Sequence, residues 1–210
     1  MDRDTLDRAA AALPVFPLPR IVLMPRDLLP LHVFEPRYQA LVTEVLATHG
    51  LLGMATLKPG FEADYAGSPP IYDAIAIGSI VRHLPLPDGR SNVVVQWIAR
   101  GTAIEELPSS PFRRFRVAVR ADVHSNAPLT LLRSLVVQLG AYAPDASHEA
   151  LRLAALPSDA LVDHLAARVL ETPGDRLAYV AQDDLEIRAH QLEGRLAELI
   201  GTSGRPVAEA

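Results

Sequence analysis

Six prolines, at positions 14, 17, 19, 25, 30 and 36, fall within one largely apolar stretch, Leu13 to His49 (LPVFPLPRIVLMPRDLLPLHVFEPRYQALVTEVLATH). Each fixes φ and removes an amide donor, so the part before the last proline does not read as one continuous interior strand. It is expected to be a strand that bends, at a sheet edge or a barrel rim. Glu35 followed by Pro36 has the form of a helix start: proline is preorganised for the first helical position, and a carboxylate beside it meets the positive end of the helix dipole. Tyr38, Leu41, Val42, Val45 and Leu46 then recur at helical spacing and predict one buried face, with Gly50 as the stop.

The rest of the first half alternates apolar runs with punctuation. Leu51 to Leu57 has the composition of a buried strand, and Lys58 to Pro70, with two glycines and three prolines, reads as a long loop. Ile71 to Leu84 and Ser91 to Ala99 predict an antiparallel hairpin turning at Asp88-Gly89. Gly101 is expected to break the second strand, with Thr102 to Leu107 continuing it around a bend. Phe115, Val117 and Val119 alternate with Arg114, Arg116, Ala118 and Arg120, the period of a half-buried strand. Up to Val123 the chain therefore reads as mainly β with one helix.

From Pro128 the apolar period becomes helical. Leu129, Leu132, Leu135, Val136 and Leu139 form one stripe, Leu151 with Leu153 to Leu156 a shorter one, and Leu161, Leu165, Val169 and Leu170 another. Ser158 is expected to cap the helix Asp159 to Glu171, with Thr172-Pro173-Gly174 ending it and Asp175 to Ala181 forming a short helix. Asp184 is expected to cap a last helix with Leu185, Ile187, Leu192, Leu196 and Leu199 on or near its buried face; from Gly201 the chain is expected to fray. The division is residues 1–125 as a β-rich subdomain, 126–201 as a helical bundle and 202–210 as a flexible tail, breaking near His124 to Pro128.

A chain of 210 residues can bury an adequate core without staples. Zero cysteines exclude disulfides, thiolate metal sites and cysteine nucleophiles, and fit a reducing cytoplasm. The amino-terminal MDRDTLDRAAAALP has no signal-like apolar core, and no run of 18 apolar residues occurs, so neither secretion nor a membrane span is expected. A net charge of -5 opposes general affinity for nucleic acid.

Taken in order, Leu13-Pro14-Val15-Phe16-Pro17-Leu18, Leu31-His32-Val33-Phe34-Glu35-Pro36-Arg37-Tyr38, Ile77-Gly78-Ser79-Ile80 and Asp88-Gly89-Arg90 form a specific combination. With it the chain resembles the amino-terminal substrate-binding domain of Lon-type ATP-dependent proteases. Leu161-Val162-Asp163-His164-Leu165-Ala166 and Asp184-Leu185-Glu186-Ile187-Arg188 are similar to the helical half of that family. One segment departs: where the family often has G-x-x-R-F, this chain has Trp97-Ile98-Ala99-Arg100-Gly101, which implies local repacking. The resemblance implies an α+β fold: a bent, barrel-like, PUA-like β subdomain with one helix, then a helical bundle. It also implies a stand-alone, non-catalytic member lacking the ATPase and Ser-Lys peptidase domains, in keeping with the absence of a GxxxxGK[ST] loop. No cofactor is expected, and the implied partner is unfolded or apolar polypeptide, together with a protease or chaperone.

Most of the chemistry-bearing residues have a plain structural role open to them. Lys58 is the sole lysine among 20 basic residues, and no motif pairs it with a serine, so it reads as a solvated loop residue. The seven histidines, at 32, 49, 83, 124, 148, 164 and 190, show no metal-ligand spacing. Asp183-Asp184 reads as a helix cap. Arg113, Arg114, Phe115, Arg116 and Arg120 could meet phosphates and bases, or could be the wet face of a strand with Phe115 in the core. Phe61, Tyr65, Tyr72 and Trp97 are the candidate peptide contacts. Phe34, Glu35, Pro36, Arg37, Tyr38, Gly78 and Arg100 are expected to be architectural, with Arg37 supplying donors to loop carbonyls in place of missing proline amides.

Overall fold

The computed structural model describes residues 2–65, 67–123, 128–142 and 147–203. The elements run α1 (Arg3–Ala10), β1 (Leu13–Leu18), β2 (Leu28–Val33), α2 (Pro36–Ala47), β3 (Leu51–Leu57), a single 3-10 turn (Phe61–Asp64), β4 (Ile71–Pro85), β5 (Ser91–Leu107), β6 (Arg113–Arg120), α3 (Thr130–Ala141), α4 (Ser147–Ala154), α5 (Ser158–Val169), α6 (Pro173–Ala181) and α7 (Leu185–Ser203). Contacts divide this α+β chain into two units, Met1–Ala121 and Asp122–Ala210.

In the first unit β1, β3, β4, β5 and β6 pair in a closed circuit, and β2 is added to β5 as a free edge. β1 and β3 are parallel; the other pairings are antiparallel. The expectation of an edge strand is met by β2, which carries Pro30, but not by β1. β1 lies between β3 and β6. Its prolines are tolerated because its neighbours are staggered: β6 pairs Leu13 to Val15 and β3 pairs Val15 to Leu18. Pro14 and Pro17 thus each have one neighbouring strand, and a missing amide need not cost a ladder bond there.

β1 and β3 are buried on both faces, which explains their unbroken apolar composition. Leu13, Val15, Leu51, Ala55, Leu57, Ile75, Ile77, Phe115 and Val117 fill one cluster, and Leu6, Ala9 and Ala10 of α1 close it. Phe16, Leu52, Met54, Ala76, Val93 and Val95 face the other way, onto Tyr38, Leu41, Val42 and Val45 of α2. Each large apolar side chain so enclosed contributes roughly 1.5–3 kcal/mol. α1 is a second helix where one was expected. Its Asp2 cap accepts from Thr5 N at 2.8 Å, and its buried face is mostly alanine, a weak apolar signal. Leu46, expected on the buried face of α2, is exposed. Gly50, at φ +72°, ends that helix by donating to Val45 O at 2.9 Å, a left-handed turn that glycine adopts without penalty.

Gly101 does not break a strand. β5 runs through it, flanked by Ile75 of β4 and Val119 of β6, at the point where the circuit closes. A Cβ there would stand 2.5 Å from Val117 Cγ1, so the valine occupies the space a side chain would need.

In the second unit α7 packs against α3 and α5, and α4 against α3. Asp184 caps α7 through Glu186 N at 2.8 Å. Ser158 is inside α5, which begins after Pro157 without a side-chain cap, and its hydroxyl accepts instead from Arg133. α5 stops at Val169, short of Thr172, which caps α6 through Asp175 N at 3.1 Å. Leu151 and Ile187 are exposed rather than buried. The expected fraying from Gly201 is not seen as far as Ser203, which α7 includes; residues 204–210, and His124 with most of the expected 124–128 break, lie outside the described residues. Among the described residues no helix is long and apolar enough to cross a membrane.

Candidate functional site

Two surfaces of the first unit combine exposed side chains with recognisable chemistry. The first surrounds the start of α2. Glu35 makes no backbone cap; it takes Arg37 Nε at 2.9 Å on Oε2 and the Tyr65 hydroxyl at 3.0 Å on Oε1. Arg37 Nη2 donates to Tyr65 O at 3.2 Å, and its guanidinium lies 4.7 Å from the Tyr38 ring and 5.2 Å from that of Tyr65. The Tyr38 ring stacks on Phe16 at 4.0 Å. Glu35 and Arg37 thereby join the α2 start to the 58–70 loop. A small cleft of about 120 Å³ opens here, and its lining includes Pro17, Arg37, Tyr38, Leu57, Tyr65, Ser109, Ser110, Phe112 and Arg113.

Burial pushes the Tyr38 phenol up to about 12. Its folded pKa lies above the unfolded one near 10, so the stability it contributes is complete below pH ~10 and is lost as pH rises from there through about 12, at about 1.4 kcal/mol per pH unit. Urea titrations across that window should show a shallower alkaline decline for Tyr38→Phe than for the parent; identical slopes would refute the assignment.

The second surface is the exposed face of β2 and the adjoining hairpin. Pro30, Leu31, His32, Arg82, Leu84, Asn92, Val93 and Val94 line a shallow depression of about 500 Å³. His32 Nδ1 lies 2.7 Å from Asn92 Oδ1 across the strand pair, and the Phe34 ring extends the surface, 6.1 Å from that of His32. Phe34 is 59% exposed, Leu84 51% and Leu28 60%. Phe34, expected to be architectural, therefore contributes little to the core. The signal in the sequence was the strand LLPLHV itself. It is apolar in both phases of the alternation, so whichever phase faces inward, the other leaves apolar side chains outside.

The four aromatic candidates do not converge. Phe61 and Tyr65 meet at 6.1 Å, but Phe61 also packs on the α1-side cluster. Tyr72 lies 5.8 Å below Lys58 Nζ, and Trp97 packs against the α2-side cluster. Pro36 occupies the first turn of α2, Gly78 sits in β4 and Arg100 is buried in β5. In the basic run Arg113 meets Glu106 at 2.6 Å, Arg114 meets Glu44, and Arg116 meets Glu105 at 2.8 Å. Phe115 is in the core, so the strand presents ion pairs to solvent rather than an open phosphate track. Among the described residues no cluster of three or more His, Asp or Glu could hold a metal ion.

The second unit holds a charged constellation. Arg188, 1% exposed, donates to Asp122 Oδ1 at 2.7 Å and Asp163 Oδ1 at 3.3 Å; the Tyr179 hydroxyl donates to Asp163 at 2.7 Å. Burial pushes the Tyr179 phenol far above its usual range, so it is a proton donor at any ordinary pH. The burial of Arg188 was legible in the spacing: Leu185, Arg188, Leu192 and Leu196 share one helical phase, placing an arginine on the buried stripe.

Comparison with known proteins fits both halves. Residues 12–197 match the family described as "ATP-dependent protease La (LON) substrate-binding domain". The chain is 31% identical over 143 residues to the Lon protease of Heliobacterium modesticaldum, covering 67% of this chain and 18% of that one. It is 26% identical over 205 residues to Lon protease 2 of Myxococcus xanthus, covering 92% and 24%. The chain thus spans a quarter or less of the length of these relatives. The fold is shared with the Lon N-terminal domain protein of Xanthomonas campestris, with a TM-score of 0.65 and 21% identity over 87% of this chain and 97% of that one. It is shared equally with the N-terminal domain of the Mycobacterium avium complex Lon protease, with a TM-score of 0.67 and 15% identity over 89% and 98%. The match runs through the proline-interrupted strands, the Glu35 to Tyr38 corner and the helices that follow, and the chain belongs to the Lon substrate-binding domain family.

Proposed function

We propose that this chain is a non-catalytic, cytoplasmic recognition module that holds non-native polypeptide and either passes it to a protease or regulates one. Family membership supports a substrate-recognition role. The observation that carries the reading is the apolar display on and beside the β2 edge, where Leu28, Phe34 and Leu84 are each more than half exposed. Large exposed apolar side chains beside an open edge strand suit an extended, apolar segment, which exchanges water for contact on both sides. Phe61 and Tyr65, at the mouth of the 58–70 loop, add aromatic contact area.

The test is photo-crosslinking to a chemically denatured model protein. The parent is expected to capture it and to turn over neither ATP nor peptide. Phe34→Asp with Leu84→Asp should lower capture about tenfold, since roughly 1.5–3 kcal/mol attaches to each buried apolar side chain and only part of it is realised in a loose complex. Circular dichroism should be unchanged because both side chains are already exposed. Capture by the double variant equal to that of the parent would reject this surface.

A further inference from the structure

The cleft beside the α2 start has features that the apolar reading does not use. Its described lining includes two guanidinium groups, Arg37 and Arg113, and no carboxylate. Glu35 engages Arg37 through Nε and Nη2, leaving Nη1 without a partner among the described residues. Glu106 takes Arg113 through Nε and Nη2, and Arg113 Nη1 donates to Pro69 O at 2.6 Å, so Arg37 is the guanidinium with a donor to spare. The Tyr38 hydroxyl has no hydrogen-bond partner among the described residues, although its ring is fixed by stacking on Phe16 at 4.0 Å. Both guanidinium groups are therefore held in place by carboxylates outside the cleft lining, in which Pro17, Leu57 and Phe112 also take part.

A volume of about 120 Å³ is too small for a whole cofactor or nucleotide and suits one side-chain-sized group. Donors of this kind stabilise a planar anion, and the apolar side chains in the lining allow one carried on a short aliphatic stem. We propose that this cleft binds a single carboxylate of a polypeptide, accepting hydrogen bonds from Arg37 and Tyr38 while its aliphatic stem rests on Leu57 and Phe112. The carboxylate is either the chain terminus or an Asp or Glu side chain. The proposal rests on the polypeptide-binding reading for the nature of its ligand, but uses a different surface. Apolar contact on the β2 face would hold a segment, and the cleft would select among segments by an acidic group.

Calorimetry on the full chain with three synthetic decapeptides tests this. The first is apolar, free of acidic residues and amidated at its carboxyl end; the second has the same sequence with a free carboxyl end; the third is amidated and carries one internal aspartate. At least one carboxylate-bearing peptide should bind about tenfold more tightly than the first, the value of one charge-assisted hydrogen bond. Which of the two gains identifies the source. Tyr38→Phe keeps the stacked ring and should reduce that gain about threefold or more, with the affinity of the first peptide unchanged. Equal binding by all three overturns the carboxylate site and leaves the apolar reading standing. No binding by any of them also overturns it, and the capture of denatured protein then decides the apolar reading independently.

Discussion

Arg188→Ala is expected to destabilise the helical unit by about 3–5 kcal/mol, as removal of one partner from a buried charge cluster does. The guanidinium answers Asp122 and Asp163 together and lies 5.3 Å from the Tyr179 ring. Removing it leaves a cavity and takes the cation from beside two carboxylates, of which Asp163 is also fixed by Tyr179. Arg188→Met fills more of the space but leaves the same carboxylates, so its cost should be smaller and still substantial. Adding Asp163→Asn to Arg188→Met should recover part of the loss, because it removes a charge left without its cation. Urea midpoints of the three variants measure these differences, with amide exchange in α5 and α7 reporting the unit concerned. A midpoint shift for Arg188→Ala no larger than that of an exposed arginine would refute the role assigned to the cluster.

Gly78→Ala should cost about 1–3 kcal/mol, the usual penalty of overpacking a tight core. A Cβ at Gly78 would lie 2.4 Å from Val95 Cγ1 and 3.2 Å from both Gln96 O and Leu23 Cδ2. Valine is stiff at χ1 and is anchored in β5, so it cannot turn aside cheaply. The decisive comparison is a double-mutant cycle with Val95→Ala. That change alone opens a cavity, but combined with Gly78→Ala it makes room for the new methyl, so the two costs should fall well short of adding. Strict additivity in thermal or denaturant unfolding would show that Val95 is not what excludes a side chain at Gly78.

Much of this architecture was legible because single residues carried unambiguous constraints. Pro36 and the Tyr38, Leu41, Val42, Val45 spacing gave α2, and the Asp88-Gly89 turn gave the β4–β5 hairpin, with Gly89 at φ +84°. What escaped depended on partners distant in the chain. Pro14 and Pro17 argued locally for an edge, and only the stagger of β3 against β6 reconciles them with an interior strand. Gly101 has the local signature of a strand break, yet Val117 is the reason for it. In the candidate sites, of the aromatics singled out by type only Phe61 and Tyr65 meet, since an aromatic residue carries no mark in sequence of which face it will take. The more informative clues were positional: apolar residues in both phases of β2, and an arginine in phase with leucines on α7.

The stagger of β1 also has a consequence for the order of events during synthesis. β1 is made before the other strands of its sheet, yet its partner on one side is β6, about a hundred residues downstream. Its other partner, β3, is parallel and so offers no simple hairpin to fold onto. β1 is therefore expected to remain unpaired on the β6 side until Arg120 has emerged, so that the ring closes late. For that interval a nascent chain whose family name concerns the recognition of substrates would itself expose an unpaired apolar segment.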